Sequence, residues 1–144
     1  MVPKAIIFIH ILAAMVWTGG HLVLALCILP HALKKNDFSI IEQFEGRFER
    51  IGLPSLLVLV GTGIYMAFVY APSFFDLDLG DHYTRHILYK LILLALTLAL
   101  AINARLFLIP KKKLHTLAWH ILAVTLIGVL FVFVGFSIRS GGVL

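Results

Sequence analysis

Four apolar stretches limit this chain before anything else does. Residues 4–29, 53–71, 84–109 and 114–138 are each about bilayer length, which for a helix is roughly 20 residues. With 61% hydrophobic and only 13% charged residues among 144, the polar surface is too small to coat a water-soluble globule. The simplest reading is therefore an all-α, integral membrane four-helix bundle, one domain over 1–144. Residues 4–29 are too long for a cleavable signal peptide, and "VWTGG" offers no convincing processing context, so this stretch is read as a span.

Prolines punctuate the pattern. Pro30, Pro72 and Pro110 stand at the ends of the first three stretches, where a missing backbone donor costs least, and Pro54 suits the first turn of the second. Between the first two spans, "KKNDFSIIEQFEGRFERIG" carries Phe38, Ile40, Ile41, Phe44, Phe48 and Ile51 among mixed charges, the stripe of a short interfacial amphipathic helix. The second connection, "PSFFDLDLGDHYTR", is acidic, and the third, "PKKKLH", is tight and basic.

Charge then sets the orientation. Lys34, Lys35, Arg47, Arg50, Arg105 and Lys111, Lys112 and Lys113 gather at one membrane face, against Lys4, Arg85, Lys90 and Arg139 toward the other. The positive-inside rule makes the first face cytoplasmic and both termini periplasmic, in a bacterial-type inner membrane. Topology accounts for the net charge of +5 without any nucleic-acid partner. The single Cys27 excludes a disulfide framework and a thiolate metal cage.

Against this background the histidines carry information. Ionisable groups at bilayer depth are costly and face a bundle interior, a cavity or a cofactor, whereas His31, His82 and His115 fall at the interfaces. In "HILAAMVWTGGH", residues 10–21, His10 and His21 are eleven residues apart: about three turns plus 20°, and a rise of about 16 Å. They share a helix face at two depths, as axial ligands to two stacked haems would. His120 lies about 10 Å in from the lysines and His21 about 13 Å in from Pro30 by helical rise, so these two pair in depth. His10 has two candidate partners, His86 and Lys90, which are four residues apart on one face.

Lys90 is also a candidate to neutralise a propionate or a substrate carboxylate. Arg105 is a candidate for the same role at the inner rim, or a positive-inside anchor. The competing reading makes the buried imidazoles interhelical hydrogen-bond donors. The "GTG" at 61–63 is read as a close-packing element without chemistry.

The stretches "HILAAMVWTGGHLVLALCILP", "FERIGLPSLLVLVGTGIY" and "RHILYKLILLALTLALAINARLFLIP" resemble the four-helix membrane domain of copper-resistance protein D, and its relatives the HemJ-type protoporphyrinogen oxidases. The second resemblance implies b-type haem, with functional roles for His10 and Lys90. The chain departs from the oxidases in having His21, His86 and His120, and in its ending "FVFVGFSIRSGG". The first resemblance implies copper transport. Cu(I) prefers sulfur ligands, and here Cys27, Met15 and Met66 form no close cluster in sequence, though histidines also bind Cu(II).

The residues thus lead to a membrane protein holding one or two b-type haems, with His10, His21, His86 and His120 as axial ligands and Arg105 beside the propionates. Lys90 stands as the residue closest to chemistry. Electron transfer with a quinol or another small redox substrate is the expected activity, that of a membrane oxidoreductase. The alternatives are copper carriage through the same histidines, porphyrinogen oxidation, and a non-catalytic subunit of a respiratory complex. Lipid is the surrounding partner, with a homo-oligomer or a respiratory assembly as protein partners.

Overall fold

In the computed structural model, residues 2–72, 76 and 78–141 are described. Met1, part of the acidic second connection (Ser73, Phe74, Phe75 and Leu77) and the last three residues lie outside them. The elements in order are α1 (Lys4–Val23), a π-helical turn (Leu24–Ile28), α2 (Leu29–Lys35), α3 (Phe38–Tyr70), α4 (His82–Asn103), a second π-helical turn (Ala104–Leu108) and α5 (Leu114–Arg139). Four stretches are long and apolar enough to cross a membrane: Lys4–Lys35, Phe38–Tyr70, His82–Leu108 and Leu114–Arg139. The protein is an all-α, multi-pass integral membrane protein.

Two boundaries differ from the sequence reading. Pro30 does not end the first span. The helix widens at Leu24–Ile28, where the Leu29 N–H reaches the Leu24 carbonyl five residues back, and it continues through Pro30 to Lys35. A wider turn accommodates a ring that would otherwise crowd the carbonyl four residues earlier. Asn36 then closes the helix in the left-handed conformation, at φ 48°. The amphipathic stretch is helical but not separate: α3 runs unbroken through Pro54. Its 33 residues measure about 50 Å, against a hydrocarbon core of about 30 Å, so the charged first half extends past the lipid tails. Asp37 caps it, accepting from the Ser39 N–H at 3.0 Å and the Ser39 hydroxyl at 2.6 Å.

Packing pairs α1 with α3 and α4 with α5, while α1 and α5 meet along the middle. A β-carbon at Gly128 would stand 3.3 Å from Thr18 Oγ1, so this glycine lets the two central helices approach. The apolar core concentrates at the basic end, where Leu24, Leu29, Ile41, Leu108, Leu117 and Ile121 interlock. Large side chains such as Leu26, Leu57, Phe68 and Trp119 point outward, as lipid-facing residues do. Apart from His86, the buried polar residues Thr18, Thr84, Thr97, Thr125 and Ser137 are small hydroxyls.

Candidate functional site

Between the helices lies a crevice of about 280 Å³, lined by residues of α1, α3, α4 and α5, including both His21 and His120. In α1 the His21 Nδ1–H donates to the Trp17 carbonyl at 2.8 Å, which defines the neutral tautomer whose lone pair is on Nε2. Trp17 packs on the same ring at 4.5 Å between centroids, and Phe48 meets it edge-on at 5.7 Å. The Phe48 ring occupies the space that β-carbons at Gly20 and Gly52 would need, and stacks on Phe44. Thr125 of α5 donates to the Ile121 carbonyl at 2.7 Å and faces the His21 carbonyl at 3.2 Å, tying the two histidine-bearing helices together.

His120 repeats the local device. Its Nδ1–H donates to the Thr116 carbonyl at 3.0 Å, and its Nε2 accepts from Asn103 Nδ2 at 2.8 Å. Small residues Gly52, Ala101 and Ala104 also line the crevice. Toward the basic end, Arg105 pairs with Glu49 across the α3–α4 boundary. Both residues, with Glu45, also line a neighbouring cavity of about 150 Å³. Arg105, read as a partner for propionates, thus already has a carboxylate.

A second polar group stands nearer the opposite end. The Thr62 hydroxyl donates to the Val58 carbonyl at 2.7 Å, which leaves its oxygen to accept from His10 Nδ1–H, also at 2.7 Å. A β-carbon at Gly63 would come within 3.3 Å of the His10 ring. The "GTG" therefore does more than let helices approach: it seats an imidazole. Lys90 lies within electrostatic reach of His10, and its Nζ stands 3.5 Å from the place of a β-carbon at Gly135.

His86 is elsewhere engaged. It is fully buried, with Nδ1–H donating to the His82 carbonyl at 2.7 Å and Nε2 accepting from the Ser137 hydroxyl at 3.0 Å. His82, expected at the interface, is half-buried with its ring 4.1 Å from that of His86. The structure thus brings His21 and His120 to one crevice and His10 near Lys90, and commits both nitrogens of His86 to other partners. Cys27 and Met15 are exposed. Among the described residues, no three His, Cys, Asp or Glu side chains gather as a metal cage.

The sequence assigned no role to Asn103 or Ser137, placed Phe48 in an interfacial stripe, and made Thr62 part of a packing element. Only Thr62 had a local signal, a hydroxyl set between two glycines; the rest act across helices.

The family model described as Copper resistance protein D matches residues 42–138, from the charged part of α3 to the end of α5. His10 and His21 precede the matched residues, whereas His86, Lys90, Arg105 and His120 fall within them. No curated protein and no solved structure matches. With the greater part of its length matched, the chain belongs to the copper resistance protein D family.

Proposed function

We propose that this chain is a membrane redox protein that holds b-type haem between His21 and His120 and passes electrons between a quinol-like donor and an acceptor. One observation carries the reading: two imidazoles from different spans line one crevice, each with Nδ1–H tied to the carbonyl one turn back. Such a bond orients a ligating histidine and raises its basicity, leaving Nε2 of His21 open to a metal and that of His120 open once the Asn103 amide is displaced. The lining otherwise consists mainly of Leu, Ile, Ala, Val and aromatic side chains, which match the apolar perimeter of a macrocycle better than a hydrated ion. When bound, haem supplies one-electron chemistry, and the protein contributes ligands, a low-dielectric shell and exclusion of water.

In the same reading His10 and Lys90 form an outer substrate site, where the ammonium holds an acidic group and the imidazole takes up a proton. We assign His86, fully buried away from the crevice with its Nε2 held by Ser137 of α5, to interhelical hydrogen bonding. Both termini face outward and the lysine-rich connections face the cytoplasm.

Family membership favours a second reading, in which copper is the cargo and the same two imidazoles receive it. Glu45, which also lines the crevice, would draw a cation, while Glu49 is already paired with Arg105. Reduced-minus-oxidised optical spectra and metal analysis of protein expressed with ample haem separate the two. Haem binding should be lost in His21→Ala and in His120→Ala, with no further loss in the double variant, if both residues hold the same group. A colourless protein with stoichiometric copper would replace the haem reading by the transport one.

A further inference from the structure

We infer that Asn103 guards His120: its amide occupies the ring nitrogen through which that histidine would bind a metal, so any group ligating His120 must first displace Asn103. The inference rests on the reading of His120 as a ligand, but it concerns a different residue and a separate step.

The argument is one of hydrogen-bond capacity. A neutral imidazole has one N–H and one lone pair. The N–H of His120 is spent on the Thr116 carbonyl at 3.0 Å, and the lone pair at Nε2 accepts from Asn103 Nδ2 at 2.8 Å. His21 has its N–H similarly placed, on Trp17, but among the described residues no hydrogen bond reaches its Nε2. The two imidazoles of the crevice are thus unequal: one is open and the other is closed by a neutral, displaceable amide. Asn103 is also the last residue of α4 before the helix widens into the π-turn Ala104–Leu108. Such single-turn widenings recur at functional sites. The arrangement makes binding sequential, with His21 engaging first and His120 closing the coordination once Asn103 has released it. It also disfavours weak ligands, which do not compensate for the lost bond.

Full-length Asn103→Ala and the near-isosteric Asn103→Leu test this in detergent micelles, with helicity and thermal midpoint confirming the fold. Carbethoxylation by diethyl pyrocarbonate, mapped by mass spectrometry on the metal-free protein, reads the availability of His120 Nε2. The rate at His120 should rise about fivefold, the equivalent of one neutral hydrogen bond, with no change at exposed His31 and His115. Haemin should bind the variants about fivefold more tightly than the wild type. An unchanged rate at His120 overturns the inference. So does a raised rate accompanied by weaker haemin binding, which would make Asn103 a support for the ligand. If the wild type binds no haemin while the rate at His120 still rises in both variants, the haem reading falls and the guard stands.

Discussion

His21, His86 and His120 each donate Nδ1–H to the carbonyl four residues earlier, to Trp17, His82 and Thr116 in turn. The bond is local, since position i−4 lies directly beneath the ring on the same helix face. What distinguishes the three is the neighbour at Nε2: Ser137 for His86, Asn103 for His120, and the crevice for His21. The same logic governs the carboxylate that starts α4. Asp81 accepts from the Thr84 hydroxyl at 2.7 Å and from the Thr84 N–H at 3.0 Å, and these bonds hold its carboxyl below the usual value. A carboxylate with a lowered folded pKa stabilises fully above its unfolded pKa, and that contribution fades as pH falls through the folded value. Asp81→Ala should therefore lower the thermal midpoint at neutral pH, and its difference from wild type should shrink in acid over that window. A difference that stays constant with pH would remove the cap from this account.

At the scale of elements, the instructive cases are the prolines and the paired glycines. Pro30 and Pro54 both lie within continuous helices, because lost donors can be absorbed by a widened turn or by neighbouring groups in a packed membrane bundle. Gly19 and Gly20 are adjacent in sequence and opposite in consequence. A β-carbon at Gly19 meets nothing within 4 Å, whereas one at Gly20 would overlap the Phe48 ring, which also fills the space left by Gly52 of its own helix. Gly19→Ala should be neutral or stabilise by up to ~1 kcal/mol through helix propensity. Gly20→Ala should destabilise by about 1–3 kcal/mol through overpacking, with Phe48→Leu restoring most of the loss. Reversible unfolding in mixed micelles measures both, and equal effects at the two positions would contradict the packing of α1 on α3 described above.

For the whole molecule, the order of helices places α1 and α5 together, with α3 and α4 completing the crevice, although His21 and His120 are far apart in the chain. The lysine-rich connections collect at one end, and the proposed orientation rests on them. A reporter that fluoresces only in the cytoplasm should remain dark when fused to the C-terminus, and bright when fused within the Lys111–Lys113 connection. The reverse pattern would invert the proposed orientation and exchange the inner and outer assignments of the two polar groups.

The class of the protein was legible in its sequence because the bilayer acts on each segment separately: a stretch is long and apolar enough to span, or it is not. The common face of His10 and His21 was legible for a similar reason, being a property of one helix. The similar depth of His21 and His120 was legible from helical rise, and both line one crevice. Partnerships at fixed depth were beyond reach. His86 lies at the same end as His10, yet it turns to Ser137 on α5 while His10 turns to Thr62 on α3. Rotation of each helix about its axis chooses between such neighbours, and that rotation is decided by packing across the bundle, by contacts such as Thr18 against Gly128 and Phe48 between Gly20 and Gly52. The same packing gave Arg105 to Glu49 and Asn103 to His120. Hydropathy and spacing determine which segments span and which residues share a face; only the tertiary structure decides which faces meet.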